Sequence, residues 1–206
     1  QSRMGLFAAV AGVIVVAMLG LSRASADRRL VVAIAIGAPI SFVAVALLFG
    51  GGLLGRLDEI GGDSGTRFEL YRRGVDMMAQ RPLPGYGGGT FEVAYSLFQA
   101  PPMPSDATWD KAHNSYLALW SELGVVGGSI PLLIVGIATI ACIRKWLSAD
   151  DPLPAIAALG AVVTAAIHSL ADFSLEIEAV AFVFIAILAT GAAPIRKSRM
   201  SSGAQK

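Results

Sequence analysis

A single cysteine, Cys142, excludes an intramolecular disulfide framework and any C-x-x-C metal site. Charge is equally scarce. Asp, Glu, Lys and Arg make up 15% of the 206 residues, against about 25% in an ordinary soluble domain. The formal net charge of +1 says little about partners, and no nucleic-acid partner is expected. No D-x-D occurs and no His/Asp/Glu cluster suggests an oxygen-rich cation cage, so neither a metal site nor a cofactor is expected. Only two histidines, His113 and His168, are available for acid–base work near neutral pH.

What is abundant is apolar. With 55% hydrophobic residues and a mean hydropathy of +0.66, the chain belongs in a membrane with lipid around it. Apolar stretches at Met4–Leu21, Leu30–Gly50, Val125–Ile143, Pro154–Ala171 and Ile177–Ala193 approach the roughly 20 residues that cross a bilayer as a helix. Small residues within them (Gly12, Gly37, Gly127, Gly128, Gly136, Gly160) favour close helix approach. The expected fold class is all-α: a polytopic transmembrane helix bundle, with a large extracytoplasmic loop at about 51–124 that contains short helices. Residues 1–194 form the membrane domain and 195–206 a cytoplasmic tail. The chain is apolar by Met4 with no signal-peptide pattern, so it reads as the C-terminal part of a longer protein.

Positive residues orient the bundle. Arg23, Arg28 and Arg29, then Arg144 and Lys145, then Arg196, Lys197, Arg199 and Lys206 fall on one side if five spans alternate. That side is cytoplasmic, and the long loop lies outside.

Within the loop, Thr66 and Glu69 have capping-box spacing after a GGDSG turn, and residues to Gln80 read as an amphipathic helix. Its expected apolar stripe is Leu70, Tyr71, Val75 and Met78, with solvated i,i+4 pairs Glu69–Arg73 and Arg72–Asp76. Arg67, in the first turn, lacks a local carboxylate and is a candidate clamp for phosphate oxygens; the alternative is a structural pairing elsewhere. The run RPLPGYGGGTF from Arg81 follows a helix, not a strand, and lacks GK[ST]. It therefore reads as a turn with close backbone approach and not a nucleotide loop. The APPMPSDATW segment that follows offers no regular structure.

The stretch DKAHNSYLALWSELG then opens a helix expected to be capped by Asp110, stopped by Gly124 and buried along Leu117, Trp120 and Leu123. His113, Asn114 and Ser115 crowd its first turn, where free N–H groups favour an anion. They are either a site for phosphate or developing negative charge, or simply a helix cap. His168, four residues before Asp172, lies near the outer end of the fourth span, as a member of a functional pair or as an interfacial histidine. A lipid transporter would carry polar, broken-helix elements at mid-membrane, and the spans hold little there beyond Pro39, Ser41 and Thr164.

Taken together, LSRAS at 21–25, Arg67 on a helix, RPLPGYGGGTF, AHNSYL at 112–117 and ELG at 122–124 resemble the membrane domain shared by O-antigen ligases and O-antigen polymerases, over roughly residues 20–180. The resemblance implies a multi-pass protein of the bacterial inner membrane with its active site facing the periplasm. It would move a glycan from an undecaprenyl-diphosphate carrier to an acceptor hydroxyl, on the lipid A core or on a growing polysaccharide. Membrane lipid surrounds it. The family's essential loop histidine and arginine fall on His113 and Arg67, as catalytic residues. Arg81, Asn114, His168 and Asp172 are the substrate-binding candidates, the last two shared by some members only.

Overall fold

The computed structural model describes residues 3–23, 36–37, 40, 60–101 and 108–194, and for residues 3, 60–65 and 67 the backbone alone. Among the described residues there is no strand. The helices are α1 (Arg3–Arg23), α2 (Ile60–Gln80), α3 (Phe91–Tyr95), α4 (Ser115–Ser148), α5 (Leu153–His168) and α6 (Glu178–Ala192), with a 3-10 turn at Ser174–Glu176. Most of the second expected span, Leu30–Gly50, of which only residues 36–37 and 40 are described and are helical, the tail 195–206 and most of the proline-rich segment lie outside the described residues.

Among the described residues two helices, α1 and α4, are long and apolar enough to cross a membrane. The helices α5 and α6, of 16 and 15 residues, reach only about 22–24 Å, short of a hydrocarbon core of about 30 Å. Large side chains such as Phe7, Met18, Leu133 and Ile137 point outward on the two long helices. An exposed apolar surface of that extent suits lipid and not water.

These four helices pack side by side around a small core of Cys142, Ala155, Ala158, Leu159 and Leu188. Close approach depends on glycine where α1 crosses α5. A Cβ on Gly12 would collide with Thr164, and one on Gly160 with Val16. Gly136, by contrast, has open space around it. At one end of the bundle Arg23 donates to the carbonyl of Ala149 (2.8 Å) and Lys145 to that of Thr190 (3.4 Å). The basic termini of α1 and α4 thus share a face, as the charge pattern requires.

A second core lies beyond the opposite end of the bundle, where Leu70 and Met77 of α2, Phe91, Ala94 and Tyr95 of α3, and Ala112 and Ala118 come together. Phe91 and Tyr95 stack at 5.2 Å, and burial pushes the Tyr95 hydroxyl up to about 12.

Details of α2 differ from the sequence expectation. The helix is already under way at Ile60, so GGDSG is helical, Thr66 is not a cap and Arg67 is not in a first turn. Glu69 is buried and accepts from both Arg72 (2.8 Å) and Arg73 (2.8 Å), charged bonds that outcompete a bond to a backbone N–H. Those bonds, that to Arg72 foremost, hold its carboxyl below the usual range. The buried stripe is Leu70, Gly74 and Met77, because Gly74 lets the Leu117 side chain of α4 approach; Val75 is exposed.

Candidate active site

The expected cap at Asp110 is not the cap. Helix α4 starts at Ser115, and Asn114 caps it, its Oδ1 accepting from the Leu117 N–H at 3.0 Å. The Asn114 Nδ2 donates to the carbonyl of Leu170 (3.0 Å), the Ser115 N–H to that of Ser169 (2.9 Å) and the Ser115 hydroxyl to that of Asp172 (3.1 Å). The Tyr116 hydroxyl adds a bond to Ala166 (3.0 Å). The start of α4 is thereby sewn to the end of α5: the Ser115 N–H left over at one helix end meets a carbonyl at the other, and three side-chain donors add to it.

His113 precedes the cap in a left-handed conformation, φ 49°, uncommon for a residue with a β-carbon. Its carbonyl accepts from the Tyr71 hydroxyl of α2 at 2.9 Å, and its ring makes a T-shaped contact with Phe173, the centroids 5.4 Å apart. Contacts from α2 and from the 170s turn therefore fix the backbone and the imidazole together, which is how a strained conformer persists. Arg67 lies four residues, about one helical turn, before Tyr71 on α2. The Arg67 side chain is outside the described residues.

His168 and Asp172 do meet. Nε2 of His168 lies 3.2 Å from Oδ2 of Asp172 and is buried without a hydrogen bond. The other Asp172 oxygen accepts from the Phe173 N–H at 2.7 Å. His168 faces a hollow of about 250 Å³ between α5 and α6.

Arg81 stands apart, at the far end of α2, with its guanidinium 5.0 Å from the Tyr86 ring centroid. The glycine run after it is the close backbone approach foreseen. Gly124 is non-helical (φ 69°, ψ 169°) and breaks α4. Onto that break fold Tyr86, whose N–H donates to Ser121 O (3.0 Å), Gly87, whose N–H donates to Glu122 O (2.8 Å), and Pro82, whose carbonyl accepts from Val125 N–H (2.7 Å). The Glu122 carboxylate accepts from Gly89 N–H (2.8 Å) and Phe91 N–H (3.0 Å), orienting α3. Gly124 thus ends a first segment, as expected, but Leu123 is 40% exposed and the buried face is Leu117, Ala118 and Ser121.

A cavity of about 930 Å³ opens beside these elements. Its polar mouth carries Lys111, Glu122 and Glu176, and its body descends between α4, α5 and α6 along residues such as Val135 and Phe184. Lys111 Nζ bonds Glu176 Oε2 at 2.9 Å, which raises the lysine above its ordinary range, and lies 6.0 Å over the Phe173 ring. His113 is not on the cavity wall but shares Phe173 with Lys111. Tyr71, Phe173, Lys111, Glu122 and Glu176 were not singled out by sequence as site residues. Only the ELG motif flagged Glu122, and the others meet through tertiary contact alone. Among the described residues no three His, Cys, Asp or Glu side chains form a metal-ligand group.

A family model described as O-antigen ligase matches residues 1–132, more than half of the chain. No curated protein and no solved structure gives a significant match.

Proposed function

Because the chain belongs to the O-antigen ligase family, we propose that it is an integral-membrane glycosyltransferase of ligase type, moving a glycan from an undecaprenyl-diphosphate carrier to a hydroxyl of the lipid A core. The observation that carries this reading is the cavity, whose mouth is charged and whose body is lined by apolar residues of α4, α5 and α6. A polyprenyl diphosphate has the same division, a headgroup for the mouth and a hydrocarbon chain for the body.

In the proposed reaction a neutral His113 accepts the proton of the acceptor hydroxyl as its oxygen bonds to the anomeric carbon. The bond from that carbon to the diphosphate breaks, and the electron pair leaves with the phosphate oxygen. Direct displacement inverts the anomeric centre. The departing charge is assigned to Arg67, one helical turn before the Tyr71 that bonds the His113 carbonyl. Arg81 is about 20 Å further along α2, too far to share one phosphate with Arg67, so it is assigned to the saccharide or acceptor. Asn114 holds the His113 turn in place. The His168–Asp172 pair supports the α5 end against which that turn packs. The polar end faces the periplasm and the Arg23 and Lys145 end the cytoplasm of the inner membrane, following the positive-inside rule.

Deletion of the gene tests the reading. Loss of glycan attachment to core, with free polymer accumulating, is the ligase outcome. Caps of a single repeat unit mean that the protein joins repeat units as a polymerase. An unchanged envelope glycan profile refutes both.

A further inference from the structure

Three charged side chains stand at the mouth of the large cavity, and two of them are held differently from the third. Glu122 is fixed by the N–H groups of Gly89 and Phe91, so its charge is already met by backbone dipoles. Glu176 and Lys111 bond each other at 2.9 Å across the mouth, from the 3-10 turn before α6 and from the segment before α4. Their side chains are 27% and 40% exposed, so the pair is wet and exchangeable. With one cation and two carboxylates, the mouth as it stands repels an anion. A diphosphate can settle there only if Lys111 leaves Glu176.

We propose that Lys111 binds the diphosphate headgroup of the lipid-linked donor at the cavity mouth, and that Glu176 is its resting partner, competing with the headgroup and keeping the mouth closed when no donor is present. The assignment rests on the lipid-linked-donor reading above. The lysine stem is flexible and its ammonium carries three donors, which suits a group that changes partners. A charge-assisted bond to phosphate is stronger than an exposed ion pair, so the exchange runs toward the headgroup. Phe173 gives the exchange a local consequence. Its ring lies under Lys111 and in a T-shaped contact with His113, so the mouth and the candidate base are seated on one side chain.

Binding of undecaprenyl diphosphate to the full-length protein in lipid nanodiscs decides the matter, because the two partners are expected to act in opposite directions. Lys111→Gln weakens binding about tenfold, the size of one lost charge-assisted bond. Lys111→Arg stays within about threefold of wild type, and Glu176→Gln tightens binding about threefold, both by keeping or freeing the cation. If both neutral variants weaken binding alike, the pair is a structural strut and the proposal is overturned. It is overturned too if neither moves the affinity. Should Lys111→Gln fail to fold, the sign of the Glu176→Gln effect decides alone. Inorganic pyrophosphate run in parallel separates recognition of the headgroup from that of the lipid, with the same order of variants expected at weaker affinity. Wild-type protein that binds no undecaprenyl diphosphate refutes the donor reading itself, an outcome distinct from wild-type binding that the variants leave unchanged.

Discussion

Gly124→Ala is expected to detach the glycine-rich turn from α4 and so to lower the stability of the whole polar end. Gly124 occupies a backbone region (φ 69°, ψ 169°) that is open essentially to glycine alone, and forcing alanine into it costs about 1–3 kcal/mol. The new methyl would also collide with the Leu83 carbonyl, with the Gly85 nitrogen only 3.1 Å away. Relief requires the turn to move off, which stretches the Tyr86–Ser121, Gly87–Glu122 and Val125–Pro82 backbone bonds. At about 0.5–1.5 kcal/mol net each, their partial loss brings the total to about 3–5 kcal/mol. For a chain of this size that lowers the Tm by about 10 °C. Thermal melting of the purified protein in detergent, followed by tryptophan fluorescence, measures it, and limited proteolysis should open new sites between 82 and 90. Gly20→Ala, in α1 with nothing near its Cβ position, is the control and should raise the Tm slightly. Gly85→Ala, whose methyl would meet the Glu122 carbonyl, should behave like Gly124→Ala, and the double variant should fall short of the sum because both break one contact. An unchanged Tm for Gly124→Ala, with protection of the turn intact, refutes this account of the break.

Other outcomes follow from the same geometry. His113→Ala and Arg67→Ala should each cut glycan transfer by about 10²-fold at normal membrane expression, Arg67→Lys should also be poor, and Glu92→Gln on the exposed side of α3 should be silent; near-normal transfer by His113→Ala returns that histidine to a capping role. Cys142 is fully buried with its thiol against the Leu188 carbonyl, so it should resist maleimide from either side until the protein is unfolded. Topology is read instead from Val93→Cys, which an impermeant reagent should label on intact spheroplasts, and Ser148→Cys, which it should miss; the reverse pattern inverts the orientation. Transfer by the purified full-length protein should survive EDTA, since the diphosphate charge is assigned to arginine and lysine, and abolition reversed by Mg²⁺ would count against that assignment. Glu69 has a folded value below its ordinary 4.5, so its pairing stabilises the outer helices above about pH 4.5 and is lost as pH falls through the lower value. Glu69→Gln should flatten that acid-side loss in melting curves, and an unaltered profile would mean the pairs contribute nothing.

Composition and hydrophobic runs were enough to make this a membrane protein of helices, because lipid demands long apolar segments that satisfy their own backbone, and such segments are written contiguously. The breaking role of Gly124 and the turn at RPLPGYGGG were legible for a related reason: glycine is required by backbone geometry at the position where it stands. The choice among chemically equal neighbours was not legible. Asp110 and Asn114 are both good caps, and Asn114 is used because its amide can also reach Leu170 on another helix. Arg72 has Asp76 and Glu69 within reach and takes the buried Glu69, where Arg73 converges too. Val75 and Gly74 are adjacent on α2, and Leu117 of α4 decides which of them faces inward. The same holds for Tyr71 on the carbonyl of His113, for Lys111 on Glu176, and for the Phe173 ring shared between Lys111 and His113. These contacts join residues on different helices and turns, and no local periodicity or propensity encodes them. They exist only once α2, the start of α4 and the turn before α6 have been packed against one another.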